Sequence, residues 1–506
     1  MTSRLLCTLI LFSLFLSPLF AQKRKNSAVL PEAKLSQAEA AMHLRFLASD
    51  ELAGRMTGTA GNDAAARYIA EQFRMLGVKK VQGAADYYQS VPLVKTAPPL
   101  DGYIVIGRDT LKEGDDVFNQ GGGLRTQSRL VFAGYGLEDE DYKSIDAKGK
   151  IVAVQFGLPE QARTNFTKLR RDKSKVAARN GAVGMIELFG DSAPFPWTAV
   201  GFQLRRPSMT LADTVSDASK TFPVFLAHDA GGRFSEMLKK ESGVTASVSS
   251  AGVKRENVMS QNVIGVIEGS DAKLKSEYVL LTAHFDHIGA GAQFGATPAD
   301  TIFNGARDNG MGTVALLSAA KAFAEQPPAR SVILVALTGE EVGLLGSSYY
   351  AAHPLVPLSQ TVFNLNTDGA GFADTSIVTV IGLGRTSADD DIAAGSKFAG
   401  LTAMSDPVPE QGLFDRSDNV SFAAQGIPAP TFSPGFRQFD AEIQRYYHKP
   451  QDEAKDDFNF SYLLRYSKAF VHTARLVANR PLRPQWKAGD KYEAAGKKLY
   501  GEMKKQ

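Results

Sequence analysis

The sequence predicts an α/β fold, in which helices flank a mostly parallel central sheet and a β-rich domain is inserted. From residue 255 onward, strand-like runs alternate with helix-like runs, the pattern of a mostly parallel sheet. Between residues 98 and 252, short β-rich runs such as GYIVIG and KIVAVQFG alternate with turns instead. A chain of 506 residues is also too long for one small core, so two domains are expected.

The first residues, MTSRLLCTLILFSLFLSPLFA, predict a secretory signal peptide at 1–21 that is cleaved after Ala21. Arg4 precedes an apolar run of signal-peptide length. A transmembrane anchor is the alternative, but the run is short and no second hydrophobic span follows. We therefore expect export to the periplasm or the exterior, without stable membrane insertion after cleavage. The only cysteine, Cys7, lies in this segment, so the mature chain would have no disulfide.

The rest of the chain divides into segments that differ in predicted secondary structure and composition. Residues 34–94 are expected to be mostly helical, because LSQAEAAMHLRFLASDELAG and NDAAARYIAEQFRMLGV place apolar residues at helical spacing. Residues 34–97 and 253–478 would form one discontinuous domain, into which residues 98–252 are inserted. Residues 479–506 are predicted to form a basic C-terminal tail, and its last stretch, GKKLYGEMKKQ, is expected to be solvated.

Composition narrows the function. Hydrophobic residues make up 44% and charged residues 22% of the chain, as in soluble globular proteins. The formal net charge of +3 is nearly balanced, and no clustered basic face points to nucleic acid. The sequence does not indicate an oligomeric state.

Three strand-like runs end in residues that can bind metal. EYVLLTA runs into His284, RSVILVALTG into Glu340 and Glu341, and TVFNLN leads to Asp368. Each run is nearly all apolar, as expected for a strand buried on both faces. Because sites of open α/β sheets form outside the carboxyl ends of the strands, these side chains are expected to meet there.

Two further candidates lie outside these strands. Asp308 precedes a predicted helix in NGARDNGMGTVALL, and His448 lies in the loop RYYHKPQDE. Imidazole and carboxylate ligands without thiolates suit zinc. Five residues exceed the needs of one tetrahedral ion with an open position, but they suffice for two ions if one carboxylate bridges. The predicted ligands are His284, Asp308, Glu341, Asp368 and His448.

Three residues close in sequence to these ligands have side chains suited to proton transfer, to orienting a ligand or to binding metal. Glu340 is free to move a proton. Asp286 could accept the other ring N–H of His284 and fix its tautomer. His287 could be a further ligand, although a role in ordering its loop or contacting substrate is the favoured interpretation.

The motifs together resemble the M28 family of zinc aminopeptidases, in particular its secreted bacterial members. The matching pieces are HFDHIG, ARDNGMGTVALL, TGEEVGLLGS, NTDGAG, RSDNVSFAAQGIP and YHKPQDE, in the family's order. The early ASDELAGRMTGTAGN is similar to the family's N-terminal portion. The insert resembles a protease-associated domain, from VFAGYG through DAKGKIVAV to ARNGAVGMI.

The resemblance implies a zinc exopeptidase fold and two zinc ions per chain, with peptides as substrates. One zinc would be bound by His284, Asp308 and Asp368, and the other by Asp308, Glu341 and His448. Glu340 would be the general base, and Asp286 would contact His284. The family often has Asp after the bridging residue, where this chain has Asn309. The resemblance also implies a cis peptide between Asp308 and Asn309.

Several functions fit this fold. The favoured one is an aminopeptidase that removes N-terminal residues. A glutaminyl-cyclase-like acyl transferase is an alternative, against which the long insert and the complete ligand set argue. Carboxypeptidase or dipeptidase specificity stays open, as does a non-catalytic binding protein on the same scaffold. The preferred terminal residue and the role of the insert do not follow from the sequence.

Overall fold

The computed structural model describes residues 34–160, 165–214, 221–293 and 295–501. The predicted signal peptide, residues 1–21, lies outside the described residues. From Leu35 onward, the described residues form one compact unit. Within it, none of the helices combines the length and the apolar character needed to cross a membrane.

The helices of the described chain are α1 (Gln37–Leu47), α2 (Ala60–Met75), α3 (Phe166–Arg179), α4 (Trp197–Leu204), α5 (Arg233–Lys240), α6 (Met311–Glu325), α7 (Leu345–Ala352), α8 (Asp389–Phe398), α9 (Asn419–Ala423), α10 (Ala441–Tyr446), α11 (Phe460–Asn479) and α12 (Glu493–Tyr500).

The strands are β1 (Tyr88–Ala97), β2 (Tyr103–Ile106), β3 (Asp109–Lys112), β4 (Val117–Asn119), β5 (Leu124–Phe132), β6 (Ile151–Gln155), β7 (Gly184–Phe189), β8 (Ser208–Leu211), β9 (Val224–His228), β10 (Thr245–Ser250), β11 (Lys254–Ile267), β12 (Tyr278–His284), β13 (Ser331–Leu337), β14 (Thr361–Thr367), β15 (Ile377–Ile381), β16 (Thr402–Ser405) and β17 (Thr431–Pro434).

The first sheet has the order β16-β15-β17-β14-β12-β13-β11-β1-β8. Its central strands β13, β12, β14 and β17 are parallel, and antiparallel pairs flank them. All residues of β13 and β14 are buried, which explains their nearly continuous apolar sequences. Helix α6 packs against β12 and α11. The predicted α/β fold with a parallel sheet centre is confirmed, although the whole sheet is mixed.

The second sheet has the order β3-β2-β10-β5-β6-β7-β9-β4 and is built entirely from residues of the 98–252 stretch. Its own core includes Ile104, Ile151, Ile186 and Phe225. One strand of the same stretch, β8, instead pairs with β1 at the edge of the first sheet. The domain boundaries and the resemblance to a protease-associated domain remain predictions.

The segment after α11, predicted to be a basic tail, contacts the rest of the protein. Trp486 is buried and belongs to the same hydrophobic cluster as Phe414. Arg385 donates hydrogen bonds to Asp490, at 2.6 and 3.0 Å. Helix α12 follows, and the Tyr500 hydroxyl donates to the Thr361 carbonyl oxygen at 2.5 Å. Aromatic residues among the basic ones therefore anchor this segment through residue 500.

Candidate functional site

The carboxyl ends of the parallel strands carry the predicted site residues. His284 is the last residue of β12, and Asp368 follows β14 directly. Glu340 and Glu341 follow β13 after a turn in which Gly339 has φ 72°. This left-handed conformation favours glycine and lets the chain reverse immediately after the strand. The three strand ends therefore bring imidazole and carboxylate groups to one edge of the sheet, as predicted.

Asp308 comes from a distorted turn, Ala306–Gly310, which leads into α6. The Asp308–Asn309 peptide is cis, as the resemblance implied. The Asn309 amide donates to the Thr367 carbonyl oxygen at 2.8 Å, and its side-chain oxygen accepts from the Gly312 N–H at 3.2 Å. These bonds fix the turn against β14 and the start of the helix.

Two groups of potential metal ligands lie at this edge. In the first, His284 Nε2 lies 3.0 Å from Asp368 Oδ1 and 3.5 Å from Asp308 Oδ1. In the second, His448 Nε2 lies 3.3 Å from Asp308 Oδ2 and 3.1 Å from Glu341 Oε2. Within each group, the candidate ligand atoms all lie within 4.8 Å of one another. The two oxygens of Asp308 thus face different groups, which is the arrangement of a bridging carboxylate.

His287 joins the second group, although the sequence favoured a role in loop ordering or substrate contact. Its Nδ1 lies 2.6 Å from Glu341 Oε1, the oxygen turned away from His448. The imidazole is buried, and its Nε2 has no hydrogen-bond partner among the described residues. The HFDHIG motif contained this histidine, but only the fold shows that it reaches the glutamate of another strand end.

Asp286 makes different contacts from those expected. Its carboxylate lies 3.8 Å from His284 Nδ1, beyond hydrogen-bonding distance, and the nearer atom at 3.2 Å is the backbone carbonyl oxygen of Asp286. The carboxylate instead accepts from the Thr57 hydroxyl at 2.8 Å and from the N–H groups of Glu340 and Glu341 at 3.2 and 3.4 Å. It therefore ties the glutamate turn to the strand end of β12.

Electrostatics of the site fit a cation-binding function. Burial alone would lower the pKa of His448, but Glu341 and Asp308 outweigh it and raise the pKa to about 10. Burial is likewise outweighed at His284, where Asp368, Glu340 and Asp308 raise the pKa well above its ordinary value. Without a metal, protons on the imidazoles balance the carboxylates. Because a metal must displace such protons, binding is expected to weaken on acidification.

Glu340 belongs to neither ligand group, although it lines the same cavity. Burial, followed by the charges of Asp368, Glu341 and Asp418, raises its pKa well above the ordinary value, while His284 acts in the opposite direction. A carboxyl group with a raised pKa can take up a proton and later release it. Glu340 is thus suited to proton transfer, whereas its neighbour Glu341 belongs to a group of potential metal ligands.

The site opens into a cavity of about 360 Å³. Carboxylates and His448 form one part of its lining. Hydrophobic and aromatic side chains form another part, and Arg416 also lines it. The hydrophobic and aromatic lining residues are Leu344, Ala370, Ile381, Leu413, Phe436, Phe439 and Tyr447.

A turn near the N-terminus, Asp50–Arg55, holds the backbone around the site. Arg55 is buried and donates to the carbonyl oxygens of Phe285 at 2.7 Å, Asn304 at 2.5 Å and Gly305 at 3.0 Å, and also to that of Leu47. Burial lowers its pKa to about 10, against the opposing effect of the site's carboxylates. The buried guanidinium of Arg55 therefore holds these backbone segments from within the protein.

The part of the chain that carries the site is similar to known proteins. Residues 262–473 match the model of peptidase family M28. Aminopeptidase YwaD of Bacillus subtilis is 29% identical over 202 residues, which are 39% of this chain and 40% of that protein. The vacuolar membrane protease of Saccharomyces cerevisiae (strain YJM789) is 38% identical over 112 residues, 22% of this chain and 10% of that protein. The chain thus aligns with less than half the length of these curated relatives.

A solved structure shows the same fold. The aminopeptidase from Aneurinibacillus sp. strain AM-1 is similar with a TM-score of 0.58 and 22% identity, covering 88% of this chain and 95% of that chain. The family match spans every predicted metal ligand, together with Asp286 and Glu340. Over these residues, the chain is similar to peptidase family M28.

Proposed function

We propose that the protein is a zinc-dependent aminopeptidase with two zinc ions per chain. The observation that carries this proposal is the position of Asp308, whose Oδ1 faces His284 and whose Oδ2 faces His448. The donor set of imidazole and carboxylate groups, without thiolate, is one that zinc accepts. His284, Asp308 and Asp368 would hold one ion, and Asp308, Glu341 and His448 the other.

Each residue then has a distinct role. Zinc bound at the two groups would supply Lewis acidity and lower the pKa of water. Glu340 takes the proton of the attacking water and passes it to the leaving amine, a role for which its raised pKa is suited. Asp286 holds the backbone of the turn that presents Glu340 and Glu341.

Similarity to a known protein supports action at the amino end of a peptide. The Bacillus subtilis relative that is 29% identical over 202 residues is an aminopeptidase. The hydrophobic part of the cavity lining can receive a side chain of the substrate. We therefore favour aminopeptidase over carboxypeptidase activity.

We also propose that the protein is exported, because residues 1–21 have the pattern of a secretory signal peptide. The mature chain would begin after Ala21. N-terminal sequencing of protein recovered from the periplasm and the culture medium tests this, and an intact N-terminus on cytoplasmic protein would contradict it.

A panel of aminoacyl-anilides, assayed with zinc, with chelator and after zinc is restored, tests the enzymatic proposal. We expect release of the free amino acid, loss with chelator and recovery with zinc. N-acetylated substrates are the matched control and should resist cleavage. Ammonia release from N-terminal glutamine without hydrolysis would instead indicate cyclase activity, and absence of any turnover with zinc bound would indicate a binding protein.

A further inference from the structure

A buried carboxylate outside both ligand groups connects the two segments that supply the second proposed zinc site. Asp452 is fully buried and lies four residues after His448. Its carboxylate accepts from the Arg307 N–H at 3.0 and 2.9 Å and from the Asp308 N–H at 3.1 Å. Its own carbonyl oxygen accepts from the Ala306 N–H at 2.9 Å. The turn that presents Asp308 is thus hydrogen-bonded to one residue of the loop containing His448.

The side chain of Arg307 strengthens this connection. Its Nη1 donates to Asp452 Oδ1 at 3.1 Å. The guanidinium carbon lies 3.6 Å from the ring centroid of Tyr446 and 4.9 Å from that of Phe458. Tyr446 is the last residue of α10, two positions before His448. Arg307 therefore balances the charge of Asp452. We infer that Asp452 acts on the metal ligands by fixing their positions rather than through its charge.

His448 itself needs such support. Its φ is 54°, in the left-handed region, where a non-glycine residue is strained and persists only if its surroundings hold it. The loop beyond it closes through the Asp452 N–H, which donates to the Lys449 carbonyl oxygen at 3.1 Å. A fixed Asp452 therefore restrains both ends of this short loop.

We propose that Asp452 is a positioning residue that sets the spacing between His448 and Asp308, and so the affinity of the second zinc site. This inference rests on the proposed function. The second site takes ligands from both of the joined segments, whereas the first site takes only Asp308 from them. Loss of the connection should consequently weaken the second site more than the first.

Asp452→Asn tests this, because it keeps the shape while removing the charge and one acceptor oxygen. We expect zinc affinity at the second site to fall about 10–100-fold, the usual range for groups that orient metal ligands. The first site should change by less than about 3-fold, well below that range. Competition against a chelator of known affinity gives both constants without an activity assay, and thermal melting of the zinc-free protein reports stability separately.

Asp229→Asn is a matched control in the second sheet. Asp229 is also fully buried and accepts from the N–H groups of Phe234 at 2.8 Å and Ser235 at 3.2 Å. The Asp229→Asn variant should have a lower melting temperature than the wild type, with both zinc affinities unchanged. If Asp452→Asn lowers only the melting temperature, like the control, or weakens both zinc sites equally, the inference is overturned.

A second variant covers the case in which Asp452→Asn does not fold. Asp452→Glu keeps the charge near Arg307 but moves the acceptor oxygens by one methylene, so it should also weaken the second site selectively. Wild-type zinc affinity in this variant would contradict the inference. Wild-type protein that binds no zinc would refute the proposed function itself, a result distinct from either variant outcome.

Discussion

At the residue scale, two adjacent glutamates after β13 have different surroundings. Glu341 contacts His287 and His448 within 2.6 and 3.1 Å, whereas Glu340 belongs to neither ligand group. Burial would raise the pKa of Glu341, but the two histidines outweigh it and lower the pKa well below its usual range. The same peptide segment therefore presents one carboxylate suited to holding a cation and another suited to holding a proton.

This difference predicts opposite phenotypes for isosteric substitutions. Glu340→Gln should retain both zinc ions and lower turnover by about 10²–10⁴, or more, because it removes the proton acceptor. Glu341→Gln should lower zinc content, and excess zinc should restore part of the activity. Elemental analysis and kcat for both variants check this. Zinc loss in Glu340→Gln with retention in Glu341→Gln would reverse the assignment, and normal turnover in both would refute the peptidase mechanism.

A second prediction concerns Asp286. Because its carboxylate accepts from the N–H groups of Glu340 and Glu341, Asp286→Asn should loosen their turn and lower turnover about 10–100-fold. Thr57→Val is the matched variant, since it removes only one donor to that carboxylate and should have a smaller effect. Wild-type zinc retention and turnover in Asp286→Asn would show that these contacts do not support the site.

The structure also shows which site residues the sequence could predict. His284, Asp308 and Asp368 follow recognisable strand-end or helix-start patterns, and each contributes to a ligand group. The contacts of His287 and Asp452 depend on pairs 54 and 145 positions apart. No local pattern encodes such distances, because they are fixed by the packing of the sheet edge against loops.

At the element scale, the turn that ends in Arg55 connects α1, β12 and the segment before Asp308. Its guanidinium is the donor for four backbone carbonyl oxygens. Arg55→Met would leave these buried acceptors without that donor, at about 1–3 kcal/mol for each one left unsatisfied. We therefore predict a loss of at least about 3 kcal/mol in the free energy of unfolding, measured by urea denaturation of the zinc-free protein.

Arg179→Met provides the comparison for that experiment. Arg179 is more than half exposed and pairs with Asp139 at 3.0 Å. An exposed ion pair of this kind contributes about 0–1 kcal/mol, so the variant should unfold near the wild-type denaturant concentration. Equal stability of the two variants would show that the buried hydrogen bonds of Arg55 contribute little.

Helix α1 carries a pH-dependent contact. His43 is buried, and its Nδ1 lies 2.7 Å from the Tyr68 hydroxyl. Burial lowers the pKa of His43, Glu39 opposes this shift, and Lys321 adds to it. His43 therefore binds a proton at a higher pH in the unfolded chain than in the folded chain. Acidification below the ordinary histidine pKa, about 6.5, should consequently lower the free energy of unfolding.

His43→Gln should reduce this loss of stability. Melting temperatures of the wild type and the variant at pH 8 and pH 5.5, with chelator present throughout to exclude changes in metal binding, measure the effect. A wild-type melting temperature that falls on acidification no more than that of the variant would contradict the prediction.

Element order was more predictable than strand pairing. β12, β13 and β14 lie where apolar runs predicted them, and residues 37–47 and 60–75 are helical. β1 was not anticipated, because most of it lies within residues 34–94, which were expected to be mostly helical. Likewise, β8 pairs with β1 across more than a hundred positions. Tertiary packing determines this pairing, so the periodicity of the sequence cannot predict it.

At the scale of the whole molecule, the mature chain predicted from the sequence has no cysteine, so no disulfide could stabilise it outside the cytoplasm. The site concentrates carboxylates of Asp286, Asp308, Glu341 and Asp368 at one buried edge of the sheet. Like charges held this close oppose folding unless protons or cations balance them. Bound zinc would therefore connect catalysis to stability.

The resulting prediction is a zinc-dependent melting temperature. A ligand that binds only the folded state stabilises it by about 4 kcal/mol at a free concentration 1,000 times its Kd. We expect about two zinc ions per chain by elemental analysis, a lower melting temperature after chelation, and recovery when zinc is restored. Asp308→Asn should lose most of this zinc response because both ligand groups use that carboxylate. An unchanged melting temperature after removal of measured zinc would show that bound zinc does not stabilise the folded state, and a content of one ion or none in excess zinc would exclude the bridged pair.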